Sequence, residues 1–177
     1  GLTHYMKGAE ELIKIFYRIQ KSILNVFLLI GGWITNENKR IIKKNIKKLK
    51  IPLNKVIFYG FVEKERLNVI YKNSVLTLFT ALDEPYGLVP LESMINGTPV
   101  VAFEGGPSET ILNGETGYII DKNDIDGFAQ KSINIINNQE LREIFSKKAK
   151  AHIIKNFKFE KSVSKLESIL IKSFSND

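Results

Sequence analysis

Short apolar runs alternate with amphipathic helical segments along most of this chain, and this alternation constrains the fold more than any other feature. Residues 25–30 form a short apolar run that ends at Gly31 and Gly32, which is typical of a buried parallel strand. Residues 7–21 carry apolar side chains at helical spacing. Strand–helix alternation of this kind predicts βαβ units, and therefore an α/β domain with a Rossmann-like parallel sheet flanked by helices.

The same reading places each element along the chain. Strands are predicted at residues 25–30, 55–59, 75–80, 99–103 and 118–120, and helices at 7–21, 36–50, 63–72, 88–96, 124–137, 140–156 and 160–174. The last three helices follow one another, so we expect a helical C-terminus. Right-handed crossovers place the carboxyl ends of parallel strands at one edge of the sheet, where ligands bind. The loops to search for chemistry are residues 31–33, 60–62, 81–87 and 104–109.

Length and composition indicate one domain, residues 1–177, without disulfides or thiolate metal sites, because the chain has no cysteine. With two histidines, no metal cluster is expected. No run approaches the roughly 20 apolar residues of a membrane span. The chain opens on a loop and a helix, whereas a doubly wound sheet has its first strand near the centre. We therefore expect that the first strand precedes Gly1 in a longer protein.

The net charge is +7, and the clearest basic cluster runs from Lys39 to Lys50. The favoured interpretation is a solvated helix face, and the alternative is a patch that meets a membrane surface or recruits an acceptor.

The segment from Glu84 to Glu92 carries the densest group of candidate functional residues. Gly87 permits a turn and a close approach to a ligand, and Pro90 fits the first turn of a helix. The N–H groups of Gly87 and Leu88 then form an anion site at the positive end of the helix dipole, suited to a diphosphate.

Glu84 and Glu92 flank this anion site, which is unexpected for a phosphate pocket alone because like charges repel. They fit a longer ligand whose hydroxyls they bind, Glu84 holding a sugar and Glu92 a ribose. The alternative is that both acids merely complement the helix dipole, and the spacing alone leaves this open.

This segment resembles the Glu-x7-Glu signature of the retaining glycosyltransferase family with the GT-B fold, which includes glycogen synthases and many mannosyltransferases. Further motifs agree with it in the expected order across most of residues 1–122. They are Lys7-Gly8, Gly60-Phe61-Val62, Gly97-Thr98-Pro99-Val100-Val101-Ala102, Gly105-Gly106-Pro107-Ser108-Glu109 and Asn113-Gly114-Glu115-Thr116-Gly117. The resemblance implies that the chain is the C-terminal, donor-binding half of such an enzyme, and that the acceptor domain lies N-terminal to it.

The resemblance also implies roles for individual residues. Lys7 and Glu84 would be catalytic, Lys7 stabilising the leaving nucleotide and Glu84 holding the transferred sugar near its reacting carbon. Six residues would bind the donor: Glu92 at the ribose, Gly87 and Leu88 at the phosphates, Phe61 and Val62 against the base, and Tyr86 beside them. The family usually carries an arginine about five residues before the lysine. Here that neighbourhood reads Gly1-Leu2, which puts half of the cationic clamp in doubt.

The implied reaction transfers a sugar from a nucleoside-diphosphate sugar to a glycan, lipid or polysaccharide with retention of anomeric configuration. It needs no metal and no cofactor, and the isolated chain is expected to be inactive. The expected partners are the donor and the N-terminal domain, with no nucleic acid. The expected location is the cytoplasm, with peripheral association at the membrane face through the basic surface.

Weaker candidates have structural explanations that we favour. Trp33 is expected to be a packed or exposed indole rather than a base-stacking residue. Glu109 is expected to cap the short helix after Pro107 rather than to reach the site. His4 is expected to be solvated and His152 structural.

Two other functions remain as alternatives. A sugar-nucleotide epimerase of the same fold would need acid–base residues that have no evident place in this sequence. A non-enzymatic basic module that binds nucleic acid or membrane would bind with a steep dependence on salt.

Overall fold

The computed structural model describes residues 8–32, 34–82 and 87–157, in which strands and helices alternate. The strands are β1 (Leu28–Gly31), β2 (Val56–Gly60), β3 (Thr77–Phe79), β4 (Val100–Phe103) and β5 (Gly117–Ile120). The helices are α1 (Ala9–Ser22), α2 (Asn36–Lys48), α3 (Lys64–Asn73), α4 (Leu88–Ile95), α5 (Ile125–Asn137) and α6 (Gln139–Asn156). Short 3-10 turns, η1 (Leu53–Lys55) and η2 (Gly106–Glu109), precede β2 and follow β4. The predicted alternation is confirmed within these ranges.

All pairings between the strands are parallel, and the strands form two sheets. β1 pairs with β2 through Leu28 and Val56, while β4 lies between β3 and β5. Every βα connection therefore returns the chain to the same end, and the loops that follow the strands share one edge of the fold. We call this edge the carboxyl edge and the opposite one the amino edge.

Helix α1 packs on both sheets. Its Ile13 and Phe16 belong to the apolar cluster that contains Leu28 of β1 and Val56 of β2. Its Ile15 and Ile19 belong to the cluster that contains Val101 and Phe103 of β4. Two apolar faces of α1 thus pack against the two sheets and hold them together.

The division between the sheets is flanked by β1 and β3. Val26, just before β1, and Leu78, in β3, both pack against each of the two clusters that α1 joins. Among the described residues no strand pairs with the inner edge of either β1 or β3.

Helices lie on both faces of the sheets. α1 packs against α2 and α5, whereas α4 packs against α3 and α6. The central strand β4 contacts both α4 and α5, and its four residues Val100–Phe103 are buried. This layering accounts for the uninterrupted apolar sequence of β4, since both faces of the strand are covered.

Side chains at the start of three helices explain where those helices begin. The hydroxyl of Thr35 accepts from the N–H of Asn38 at 3.2 Å, Asp124 accepts from Gly127 at 2.7 Å, and Asn138 accepts from Leu141 at 2.9 Å. Helix α2 ends at Lys48, two residues earlier than predicted.

The basic cluster on and after α2 is exposed, as the solvated-face interpretation predicts. The exposed cations are Arg40, Lys43, Lys44, Lys47, Lys48 and Lys50. Within the described part of the chain, no helix is long and apolar enough to cross a bilayer.

Several predicted features lie outside the described residues. They are the site residues Lys7, Glu84 and Tyr86, together with His4, Trp33 and the helix at residues 160–174.

Candidate functional site

The loops after β1 and β2 meet at the carboxyl edge. Gly31 is paired with Gly60, and the N–H of Gly32 donates to the carbonyl of Gly60 at 2.8 Å. Val62 is half-buried, and a Cβ placed on Gly31 would lie 3.8 Å from its methyl group. Phe61 is 66% exposed. The two residues predicted to face the base therefore lie at this edge, with the Phe61 ring open to solvent.

Helix α4 begins at the same edge, immediately after Gly87. Gly87 adopts φ 64° and ψ 47°, the left-handed conformation that glycine accepts without steric cost. Among the residues that the structure describes, no side chain caps this helix. Leu88 is 61% exposed, whereas Gly87 is buried. Because the first amides of a helix have no partner inside it, the start of α4 can bind an anion.

Gly87 is backed closely by the loop after β4. A Cβ on Gly87 would lie 3.3 Å from both Cα and N of Pro107. The loop itself is held by the N–H of Gly105, which donates to the Ser108 hydroxyl at 3.2 Å. A larger residue at position 87 would push the start of α4 away from this loop.

The capping role expected of Glu109 is wrong. Glu109 lies at the last position of η2 and is exposed, and the side-chain bond to the start of that turn comes from Ser108. The reason is geometric, because a turn of four residues places Ser108 opposite the Gly105 amide.

Glu92 lies on the exposed surface of α4, one turn beyond its start, and its carboxylate contacts Tyr71 of α3. The Tyr71 hydroxyl donates to Glu92 Oε2 at 3.4 Å. Tyr71 is 8% exposed. Its burial, and then the negative charge of Glu92, raise the pKa of the Tyr71 hydroxyl well above its ordinary value. Tyr71 therefore stays a neutral donor and fixes one carboxylate oxygen of Glu92.

Tyr71 was predicted only as part of the apolar face of its helix. A signal was available, because a tyrosine on a buried face must bring its hydroxyl to a polar partner. The partner itself depends on how α3 packs on α4. That packing is secured by Thr98, whose hydroxyl donates to the Tyr71 carbonyl, and by Asn96, whose amide donates to Asn68 Oδ1 at 3.0 Å.

The amino end of α1 is fixed at the end of β3. Gly8 has φ 58°, and a Cβ on it would lie 1.6 Å from the carbonyl oxygen of Thr80. The Thr80 hydroxyl donates to the Gly8 carbonyl at 3.0 Å. Thr80 directly follows β3, so the residue after Lys7 lies at the carboxyl edge. No motif or spacing in the sequence singles out Thr80.

In the described part of the chain, no group of three or more His, Cys, Asp and Glu residues could hold a metal ion. His152 is remote in α6, where Nδ1 lies 2.9 Å from the side-chain nitrogen of Asn156 and the ring packs edge-on against Phe157. These contacts agree with the expected structural role of His152.

Comparison with known proteins gives one family match and many relatives. The sequence model of the family described as "Glycosyl transferases group 1" matches residues 2–152. The N-acetyl-alpha-D-glucosaminyl L-malate synthase of Bacillus anthracis is 28% identical over 165 residues, which are 93% of this chain and 42% of that protein. The chain thus spans less than half of the length of this curated relative.

Solved structures share the fold. A variant of S. aureus TarM, in complex with fondaparinux, alpha-GlcNAc-glycerol and UDP, matches 92% of this chain and 32% of its own, with TM-score 0.81 and 27% identity. The C-terminal domain of the group 1 glycosyl transferase LpcC from Francisella tularensis matches 89% of this chain and 83% of its own, with TM-score 0.79 and 21% identity. The predicted α/β fold class, with Rossmann-like parallel sheets flanked by helices, is confirmed.

Proposed function

The chain belongs to the family of glycosyl transferases group 1, and on that premise we propose that it is the donor-binding domain of a glycosyltransferase that uses a nucleoside-diphosphate sugar. One observation carries the proposal: the start of α4, which no described side chain caps, lies at the carboxyl edge, with the Tyr71-bound Glu92 one turn away. An anion site beside a fixed carboxylate suits a ligand that has both phosphates and hydroxyls.

The diphosphate of the donor binds at the amides of Gly87 and Leu88. Lys7 supplies the positive charge that stabilises the leaving nucleotide as negative charge develops. The contact of Gly8 with Thr80 supports this role, because it holds the neighbour of Lys7 at the carboxyl edge. The related TarM structure contains UDP, and this supports a nucleotide ligand here.

Hydroxyl groups of the donor bind the two glutamates. Glu92 accepts from the ribose diol with the oxygen orientation that Tyr71 imposes. Glu84 holds the transferred sugar beside its reacting carbon, and Tyr86, two positions later in sequence, also binds the donor. The exposed ring of Phe61, with Val62 behind it, lies against the base.

The remainder of the enzyme comes from sequence that precedes Gly1 in the complete protein. It supplies the acceptor domain and a parallel strand between β1 and β3. No described strand pairs with the inner edges of β1 and β3, and α1 spans both strands, which supports that placement. The complete enzyme transfers the sugar to a glycan, lipid or polysaccharide with retention, without a metal ion or cofactor. It acts in the cytoplasm or at the membrane face, and the isolated chain is inactive.

A thermal-shift panel of nucleotide sugars on the complete protein tests donor binding. A bound donor at 100 times its dissociation constant adds about 2.7 kcal/mol of stability. We expect Glu92→Gln to remove most of that gain, whereas the matched change Glu109→Gln, at an exposed acid on the neighbouring loop, keeps it. If no nucleotide sugar stabilises the protein, the proposed donor site is wrong.

Transfer assays test the catalytic assignment. Glu84→Ala and Lys7→Ala are expected to abolish transfer, and chelation of metal ions is expected to leave it unchanged. NMR of the product linkage reports whether configuration is retained. Near wild-type transfer by both variants, or conversion of the donor into its epimer without an acceptor, would contradict the assignment.

A further inference from the structure

The positive charge of the chain is concentrated in one stretch. Residues 12–62 contain eleven Lys and Arg residues and a single acid, Glu37, so their net charge is +10 while the whole chain carries +7. This stretch comprises most of α1, all of α2, and the strands β1 and β2. The excess of cations is therefore a property of the β1–β2 side of the fold.

Part of this stretch lies at the amino edge, opposite the donor site. Helices α1 and α2 end where β1 and β2 begin, because each helix runs antiparallel to the strand that follows it. Residues 21–27 and 47–55 make these two connections, and neither contains an Asp or Glu residue. Lysines are present in both, Lys21 in the first and Lys47, Lys48, Lys50 and Lys55 in the second.

The same two connections expose large apolar side chains. Leu24 is 82% exposed, Leu53 63% and Phe27 58%. The two connections lie side by side, because Leu28 and Val56 are paired and the Lys55 ammonium lies 4.2 Å from the centre of the Phe27 ring. We call Lys21, Leu24, Phe27, Lys50, Leu53 and Lys55 the amino-edge surface.

We propose that the amino-edge surface docks the protein on an anionic phospholipid bilayer. Lysines attract the protein to negatively charged headgroups, and exposed leucine and phenylalanine side chains insert between them. Charge complementarity selects this partner. The two connections carry lysines and no acidic residue, so they match a uniformly anionic surface better than a protein surface of mixed charge. The surface is separate from the carboxyl edge, so docking leaves the donor site open.

The test is co-sedimentation of the complete protein with phosphatidylcholine vesicles, with and without an equal part of phosphatidylglycerol. We expect partitioning at least about tenfold stronger on the anionic vesicles. The double variants Leu24→Ser/Leu53→Ser and Lys21→Gln/Lys50→Gln are each expected to weaken it by about tenfold or more. Neither should change donor binding, so failure of the docking proposal is distinguishable from failure of the proposed function.

Matched controls alter similar side chains elsewhere. Val69→Ser/Ile154→Ser removes two apolar side chains that are 57% and 52% exposed, and Lys147→Gln/Lys148→Gln removes two exposed lysines of α6. Both controls should bind anionic vesicles like the unaltered protein.

Three results would overturn the proposal. The first is equal or absent binding to the two kinds of vesicle, and the second is an equal loss in the controls. The third is self-association in solution that Leu24→Ser/Leu53→Ser abolishes, which would make the surface a contact between copies of the chain.

Discussion

The hydroxyl of Tyr71, buried between α3 and α4, donates a 3.4 Å hydrogen bond to Oε2 of Glu92 on the exposed side of α4. Under the proposed function, this bond orients the carboxylate that receives the ribose. We therefore expect Tyr71→Phe to raise the KM for the donor by about three- to tenfold, as the loss of one such bond implies, with little change in kcat. Steady-state kinetics of the complete enzyme measures both.

A double-mutant cycle separates this positioning effect from a general structural one. With Glu92→Gln already present, Tyr71→Phe should have a smaller effect on KM, because the carboxylate it orients is gone. An undiminished effect in that background would show that the Tyr71 hydroxyl acts through another group.

The raised pKa of Tyr71 makes the fold sensitive to alkali. Burial is the larger cause and the charge of Glu92 the second. Below about pH 10 the hydroxyl is protonated in both the folded and the unfolded chain. At higher pH the unfolded chain loses this proton first, so the free energy of unfolding should fall by up to about 1.4 kcal/mol per pH unit.

Urea denaturation of the protein and of Tyr71→Phe, between about pH 9 and about pH 11, measures this effect. The difference in free energy of unfolding between them should shift in favour of the phenylalanine variant as pH rises. Parallel pH profiles would mean that the Tyr71 hydroxyl ionises equally in both states.

Gly8 and Gly114 offer a matched pair of glycines with positive φ, at 58° and 78°. A Cβ on Gly8 would lie 1.6 Å from the Thr80 carbonyl oxygen, whereas nothing lies within 4 Å of a Cβ on Gly114. Gly114→Ala should therefore cost about 1–2 kcal/mol of stability, from backbone strain alone. Gly8→Ala adds a clash with backbone and should cost more than about 3 kcal/mol.

Denaturation midpoints of the two glycine variants decide the matter. Equal losses of stability would show that α1 moves away from Thr80 at little cost. The close contact of Gly8 with Thr80 would then contribute little to the stability of the fold.

Local sequence patterns account for the parts of the fold that could be predicted. The apolar run of β4 predicts a buried strand, and the glycine before α4 predicts a helix start. Both predictions depend only on residues close in sequence. β3 is shorter than predicted, residues 77–79 rather than 75–80, since strand ends are set by pairing and only Thr77–Phe79 pair with β4. Such bounds need the neighbouring strand.

Contacts between distant residues could not be predicted. Tyr71 and Glu92 are 21 positions apart, and Gly8 and Thr80 are 72 apart. Each contact follows from how whole elements pack, α3 on α4 and α1 against β3. The motif identified Glu92, but its contact with Tyr71 becomes evident only from the packing of α3 on α4.

A last prediction concerns the attachment of α1 to α5. Arg18 of α1 donates from Nε and, at 3.4 Å, from its Nη2 to the two carboxylate oxygens of Asp126 in α5. This hydrogen bonding is the main cause that lowers the pKa of Asp126 below its ordinary value. The lowered pKa means that the pair stabilises the fold above the ordinary carboxyl pKa. That contribution is lost as pH falls through the lower folded-state value. In Arg18→Gln, NMR titration should find the pKa of Asp126 raised toward that of a free aspartate. In Lys14→Gln, which breaks the Lys14–Glu10 pair of 2.8 Å on the same helix, the Asp126 titration should not move. An unchanged Asp126 titration in Arg18→Gln would show that Arg18 does not hold the carboxylate in solution.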